Sequence, residues 1–243
     1  MYYEEFGAKH EKIIVMLHGA NYVNTFAKQY VLAEKYCIIV PHLMGYGRET
    51  AQVFNTDAQI AALGDFIGGL GSRVTLVGFS LGAQLAYRLC AERPELLNAA
   101  VIVSPWLIKP AEMLEKVIAS NEKSLRLFKK KPLCRLIGRL NGFSAEERAE
   151  FVEQMQRVKP ETARSVADNS ITVESVQGFG RVDFPVYAIC GAKEQREVKD
   201  SIFTLAKLNR RCTAEVWEKA AHNIPMLFPQ RLNELIEKAA NTC

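Results

Sequence analysis

The chain has 243 residues, of which 49% are hydrophobic and 24% are charged, and its formal net charge at pH 7 is +4. This length suffices for one large domain or for a core with an insertion, and the composition argues against an intrinsically disordered chain. The Lys and Arg residues are scattered, which argues against nucleic acid as a partner, and the one basic run, Lys129-Lys130-Lys131, is interpreted as a solvated helix end.

Short apolar runs alternate with helical patterns along most of the chain. The runs cover 12–17, 36–40, 74–77, 99–104, 185–190 and 213–217, with a further candidate strand at 2–6. Their near-continuous apolarity predicts strands that are buried on both faces, as in a parallel sheet covered by helices. The helical patterns cover 26–34, 55–70, 81–92, 198–208 and 229–240. This alternation predicts an α/β fold with a doubly wound, mostly parallel sheet.

A G-x-S-x-G sequence centred on Ser80 joins a predicted strand to a predicted helix. A serine hydroxyl is a poor nucleophile at neutral pH, so it needs a sharp, exposed turn where a base can reach its proton. Gly78 and Gly82 are expected where the two backbones crowd together and a Cβ would clash. The helix that begins at Leu81 would direct free N–H groups toward a developing oxyanion. Ser80 is therefore a candidate nucleophile.

Between residues 105 and 183 no strand of this kind appears, and helical stretches take its place. They cover 110–119, 132–140 and 144–158, and Pro160 suits the first turn of another short helix. Ser144 and Glu147 have the spacing of a capping box, which marks a helix start. We interpret residues 105–183 as a helical cap, inserted into a core formed by residues 1–104 and 184–243.

Together these features resemble those of a capped α/β-hydrolase of the serine esterase type, and the resemblance covers nearly the whole chain. Besides the turn at Ser80, the matching stretches are His18-Gly19, Ala221-His222 and the run from Gly191 to Glu194. One departure lies at 42–49, where many members have Asp-x-x-Gly-x-Gly-x-Ser and this chain has HLMGYGRE. This departure leaves the subfamily and the substrate open.

The resemblance implies a catalytic triad of Ser80, His222 and Glu194. In this triad His222 takes the proton of Ser80, while the carboxylate fixes the tautomer of the imidazole. Other acids near this part of the sequence, or after the fourth core strand, are alternatives to Glu194: Glu197, Asp200 and Glu112.

The resemblance also implies an oxyanion hole formed by the backbone N–H groups of Ala20 and Leu81. Three further residues are candidates for the substrate-binding region. His18 is expected to hydrogen-bond the loop backbone and to shape the oxyanion hole, Asn21 could add a side-chain donor, and Trp106 is a candidate for lining the acyl site.

The function implied is hydrolysis of a small, fairly apolar carboxylic ester or thioester through an acyl-enzyme, without a metal or another cofactor. Serine at position 80 excludes the dehalogenases and epoxide hydrolases of this fold, which use aspartate, whereas carbon–carbon bond, lipid and lactone hydrolases stay possible. The apolar cap predicts a preference for acyl groups over charged ones. The alternative is a small-molecule receptor or binding protein that turns over slowly or not at all.

The six cysteines form no C-x-x-C pair and no cluster with histidine, so no zinc site or redox motif is predicted. The acidic N-terminus has no apolar signal region, and no stretch is long enough to cross a bilayer. We therefore expect a cytoplasmic location, a small-molecule substrate and no membrane partner. The oligomeric state stays open.

Overall fold

The computed structural model describes residues 1–20, 22–168 and 171–242, which fold around a seven-stranded β-sheet. The strands are β1 (Tyr3–Phe6), β2 (Ile13–Leu17), β3 (Cys37–Pro41), β4 (Val74–Phe79), β5 (Leu97–Val103), β6 (Val186–Gly191) and β7 (Cys212–Trp217). Every residue of β3 and β4 is buried, as their continuous apolarity predicts, whereas the edge strands β1 and β7 carry exposed positions.

The strand order is β1-β3-β2-β4-β5-β6-β7, in which β1 is antiparallel to β3 and the other pairs are parallel. The register aligns the last residues of neighbouring strands: Leu17 lies opposite Gly78, Phe79 opposite Val103, and Gly191 opposite Trp217. The loops that leave these strands therefore meet at one edge of the sheet, where ligands bind in open α/β folds. The predicted fold class is confirmed.

Nine α-helices lie in the described part of the chain. They are α1 (Thr56–Gly68), α2 (Leu81–Glu92), α3 (Ala111–Phe128), α4 (Lys131–Leu140), α5 (Ala145–Arg157), α6 (Pro160–Asp168), α7 (Arg196–Leu208), α8 (Ile224–Leu227) and α9 (Pro229–Ala240). Helices α2 and α9 pack against β4 and β5, and α7 packs against β6 and β7. This covering of the strands by helices explains why the central strands carry almost no polar side chains.

The first predicted helix, at 26–34, differs from the structure in type and start. The chain forms a 3-10 helical segment at Val23–Glu34, interrupted by non-helical backbone angles at Asn24 and Phe26. The Thr25 hydroxyl donates to the backbone oxygen of Tyr22, and such local side-chain hydrogen bonds compete with a regular α-helix. The segment is therefore folded as successive tight turns.

Helices α3 to α6 occupy the chain between β5 and β6, and residues 105–183 are called the helical insert below. Helix α3 continues to Phe128, well beyond the predicted end at 119, and Leu125 on its added turns is buried. The predicted capping box is present: Ser144 Oγ accepts from the N–H of Glu147 at 3.2 Å, and the Glu147 carboxylate accepts from the N–H of Ser144 at 2.6 Å. Helix α6 begins at Pro160, as predicted.

Polar contacts tie the insert to the 3-10 segment of the core. Glu150 on α5 accepts hydrogen bonds from the Tyr22 hydroxyl at 3.2 Å and from the Asn24 amide at 2.6 Å. The Tyr22 ring also packs against Phe143 and Phe151, with centroid distances of 4.8 and 5.5 Å. Because these contacts join aromatic burial to charge-assisted hydrogen bonds, they hold α5 against the core.

The interpretation of the basic run as a solvated helix end is wrong for Lys129 and fits Lys130 and Lys131, which are exposed. Lys129 Nζ donates to the backbone oxygens of Met155, Gln156 and Val158, at 2.9, 2.7 and 2.8 Å. These carbonyls lie at the end of α5, where a helix leaves its last C=O groups without intrahelical partners. Lys129 therefore caps a neighbouring helix.

None of the helices in the described residues is both long enough and apolar enough to span a membrane.

Candidate active site

Ser80 lies between β4 and α2 in a backbone conformation that is rare for a residue with a side chain, with φ 54° and ψ −110°. The tight packing around this turn explains its two glycines. A Cβ on Gly78 would lie 2.3 Å from the backbone oxygen of Gly82, and a Cβ on Gly82 would lie 2.0 Å from that of Leu17. Only glycine fits at either position, so the sequence enforces a strained turn that presents the Ser80 hydroxyl.

The structure brings Ser80, His222 and Glu194 together in one hydrogen-bonded row. Nε2 of His222 lies 3.1 Å from Ser80 Oγ, and Nδ1 lies 2.7 Å from Glu194 Oε2. His222 follows β7, Glu194 follows β6 and Ser80 follows β4, so the three reach each other at the shared edge of the sheet. The imidazole also packs against the Phe79 ring, with centroids 4.9 Å apart.

The Glu194 carboxylate is almost fully buried, and the chain holds it from several sides. Its Oε1 accepts hydrogen bonds from Ser104 Oγ at 2.7 Å and from the Gly191 N–H at 2.8 Å. Burial by itself raises the pKa of Glu194, but the hydrogen bonds from His222, Gly191 and Ser104 and the charge of His222 bring it below its usual value. The group is therefore ionised beside the imidazole.

Sequence reasoning missed Ser104, whose hydroxyl orients Glu194. The feature of the sequence that could have identified Ser104 is its position directly after a buried parallel strand. A polar residue there lies at the edge of the sheet where sites form.

The other acids that were considered for the third position lie elsewhere. Asp200 pairs with Arg196 on the surface of α7, with Nε and Oδ2 3.2 Å apart. Neither Glu197, Asp200 nor Glu112 is among the described residues that line the cavity at Ser80. Glu194 is the carboxylate that contacts His222.

A cavity of about 650 Å³ opens at Ser80 and His222. Ala20 and Leu81, the two predicted oxyanion residues, both line it, as does Trp106. A smaller space of about 60 Å³, lined mainly by apolar side chains, shares Ala20 with the larger one. The sequence prediction that Asn21 adds a donor to this pocket falls outside the described residues.

His18, which the sequence predicts in the substrate-binding region, has a fully buried side chain and is not among the described residues that line the cavity. Its Nε2 accepts from the Leu43 N–H at 3.1 Å, which leaves the proton on Nδ1 for the backbone oxygen of Gly19 at 2.7 Å. Burial lowers the pKa of His18 to about 3. His18 is thus a neutral ring that binds two loop backbones, the role in shaping the loop that the sequence also suggested.

Lys109 and Gln84 also line the cavity, and no sequence pattern indicated either. Their side chains are joined by a hydrogen bond of 2.7 Å from Lys109 Nζ to Gln84 Oε1. In the part of the chain that the structure describes, no group of three or more His, Cys, Asp or Glu side chains could hold a metal ion.

A profile described as the alpha/beta hydrolase family matches residues 14–235. Similar solved structures include E-2-(acetamidomethylene)succinate hydrolase, with a TM-score of 0.82 and 17% identity over 99% of this chain and 94% of that one. An esterase from Exiguobacterium antarcticum has a TM-score of 0.79 and 17% identity, over 99% of this chain and 95% of that one.

A third similar structure comes from work on carboxylesterases of the thaumarchaeon Nitrososphaera gargenis. Its TM-score is 0.77 at 17% identity, over 98% of this chain and 92% of that one. At 17% identity, the similarity to these three solved structures shows the fold alone.

Proposed function

The chain belongs to the α/β-hydrolase family, and within it we propose a serine hydrolase that cleaves a carboxylic ester or thioester through an acyl-enzyme. The observation that carries this proposal is the row of hydrogen bonds from Ser80 Oγ to His222 Nε2 and from His222 Nδ1 to Glu194 Oε2, at 3.1 and 2.7 Å. These are the contacts that a general base needs with its nucleophile and with the group that orients it.

In the first half of the reaction Ser80 Oγ attacks the substrate carbonyl while His222 Nε2 removes the hydroxyl proton. The bond to the leaving group then breaks, and His222 returns that proton to the departing oxygen or sulfur. Glu194 holds the proton on Nδ1 and stabilises the imidazolium that forms between these steps. The product of this half is an ester between Ser80 and the acyl group.

Water completes the reaction by attacking the acyl carbon while His222 Nε2 takes a proton from it. The bond between the acyl carbon and Ser80 Oγ then breaks, His222 returns the proton to Ser80 Oγ, and the carboxylic acid leaves. The imidazole side chain is 53% exposed, so the ring lies open to the solvent from which this water comes. The N–H groups of Ala20 and Leu81 would stabilise the oxyanion in both halves, since both residues line the cavity beside Ser80.

The helical insert acts as the cap of this site in our proposal. Ser120 of α3 and Val166 and Ala167 of α6 line the cavity together with Ser80. Residues 105–183 would thus enclose the substrate, and the segments 1–104 and 184–243 would carry the catalytic groups.

A fluorophosphonate probe tests the proposal, because it phosphonylates only an activated serine. Wild-type protein should be labelled and Ser80→Ala protein should not. Ser120→Ala, which removes another serine of the cavity wall, should keep the label. Hydrolysis of aryl esters should fall by about a millionfold in kcat for Ser80→Ala or His222→Ala. If Ser80 stays unlabelled in folded wild-type protein, the alternative of a small-molecule binding protein is favoured.

A further inference from the structure

Lys109, Gln84 and Trp106, called the Lys109 cluster here, form one side of the cavity that contains Ser80. Lys109 Nζ donates to Gln84 Oε1 at 2.7 Å and to the backbone oxygen of Ile171 at 2.6 Å. It also lies 5.3 Å from the centroid of the Trp106 ring. When it is protonated, Lys109 has three N–H donors, so these two hydrogen bonds leave one for a ligand in the cavity.

The charge of Lys109 has no counter-ion among the described residues. No ion pair in this part of the chain includes Lys109, and both of its hydrogen-bond acceptors are neutral. Burial lowers the pKa of Lys109 to about 7, and no neighbouring acid offsets the effect. Lys109 is partly buried and has no acidic partner among the described residues, so an anion bound beside it would supply the missing counter-charge.

The other charged side chains of the cavity do not supply that charge. Among the described lining residues they are Lys193 and Glu194. Both oxygens of Glu194 are already used, Oε1 by Ser104 and Gly191 and Oε2 by His222. The wall of the cavity therefore carries two lysines and one carboxylate, and both oxygens of that carboxylate are already hydrogen-bonded. An anion that enters the cavity is thus attracted to the wall.

We propose that Lys109 binds a carboxylate of the substrate, away from the bond that is cleaved, so that the substrates are esters or thioesters with a free carboxylate. This inference rests on the proposed function, from which it takes the cleavage of an ester or thioester at Ser80. It differs from the expectation of an uncharged acyl group, which rested on the apolar residues of the insert and did not include Lys109. A single carboxylate fits because one lysine with one remaining donor offers one charge-assisted hydrogen bond.

Binding to Ser80→Ala protein tests the carboxylate site without requiring turnover. Monomethyl glutarate carries one carboxylate and dimethyl glutarate carries none, while their ester ends are the same. Titration calorimetry should show that the anion binds about ten to a hundred times more tightly than the neutral diester. Equal affinities would overturn the proposal.

Two variants separate the role of Lys109 from general attraction. Lys109→Met should abolish the preference, whereas Lys193→Met, which removes the other cation of the wall, should retain most of it. An equal loss in both variants would mean that diffuse charge causes the preference, and the site would be rejected.

Gln84→Glu provides the complementary test if Lys109→Met fails to fold. It keeps the shape of the side chain but gives Lys109 a counter-ion within the protein, so the preference for the monoester should disappear while Lys109 is intact. A preference that persists in Gln84→Glu protein would contradict the proposal.

These measurements also separate the inference from the proposed function. Labelling of Ser80 together with equal affinities for the two glutarates would remove the carboxylate site and leave the hydrolase. A Lys109-dependent preference in a protein whose Ser80 is not labelled would remove the hydrolase and leave a carboxylate-binding pocket.

Discussion

Ser104 Oγ donates a 2.7 Å hydrogen bond to Oε1 of Glu194, although 90 positions separate the two residues in the chain. The Gly191 N–H donates to the same oxygen at 2.8 Å, so that Oε2 alone faces His222. Since the Glu194 side chain is only 4% exposed, these donors stabilise its charge in place of most of its hydration. The position of the carboxylate relative to the imidazole thus depends on a hydroxyl at the end of β5.

Removal of that hydroxyl should slow the reaction without changing substrate affinity. Ser104→Ala leaves Oε1 with only one donor, which raises the pKa of Glu194 and loosens its hold on His222. We expect kcat to fall by about tenfold, which corresponds to about 1.4 kcal/mol in the activation barrier, while KM stays the same. Steady-state kinetics on one aryl ester measures both parameters.

Ser104→Gly is the matched variant, because Ser104 has φ 55° and glycine adopts this angle without strain. It removes the hydroxyl and the strain together. Equal losses of kcat in the two variants would assign the effect to the hydrogen bond, whereas full activity in both would contradict a positioning role for Ser104.

Neutralising the acid should distinguish Glu194 from its neighbours in sequence. Glu194→Gln keeps the shape but loses the charge that stabilises the imidazolium, so kcat should fall by about ten thousandfold. Glu197→Gln and Asp200→Asn should stay near the wild-type rate, because neither side chain lines the cavity and Asp200 pairs with Arg196. Near-complete activity of Glu194→Gln, or a large loss in either neighbour, would reject Glu194 as the third member of the triad.

Burial of His18 should make the fold less stable as the pH falls below neutrality. Its pKa is about 3 in the folded protein against about 6.5 when unfolded, so between these values the unfolded chain binds the extra proton. The contribution of His18 to stability is complete above pH 6.5 and decreases toward pH 3. At pH 5 the free energy of unfolding should be lower than at pH 7.5 by about 2 kcal/mol from this residue alone.

Urea unfolding at the two pH values measures this difference in wild-type protein and in His18→Gln. Glutamine does not titrate, so the variant should lose about 2 kcal/mol less between pH 7.5 and pH 5, whatever its absolute stability. The same pH dependence in both proteins would mean that His18 is not the group responsible.

Local rules account for what could be predicted from the sequence. The glycines around Ser80 and the capping box of Ser144 and Glu147 involve residues two or three positions apart, and the structure has both arrangements. Periodicity likewise identified the strands, since a parallel sheet under helices needs continuous apolar runs.

Contacts between distant parts of the chain were not predictable in this way. Lys109 reaches Gln84 on one side and Ile171 on the other, and the role of Lys109 follows only from their meeting at the cavity. His18 shows the same limit, because its position after β2 is visible in the sequence, whereas the contact of its buried side chain with Leu43 is not. Sequence patterns located the edge of the sheet that carries the site, and three-dimensional packing decided which side chains face it.

The cap that Lys129 places on α5 should stabilise the helical insert. Lys129→Met keeps the length of the aliphatic stem but leaves the carbonyls of Met155, Gln156 and Val158 without their shared donor. Val158 is buried, so water cannot replace the ammonium group fully there. We expect the free energy of unfolding to fall by about 1 to 3 kcal/mol.

Lys130→Met is the control, because Lys130 is the next residue and its side chain is exposed. Its unfolding free energy should stay within about 0.5 kcal/mol of the wild type, as for most surface substitutions. Hydrogen exchange should also accelerate at the amides in the last turn of α5 in Lys129→Met and not in Lys130→Met, since the cap acts on that turn directly. If the two variants are equally stable and exchange alike, the three hydrogen bonds of Lys129 contribute nothing beyond those that water provides to an uncapped helix end.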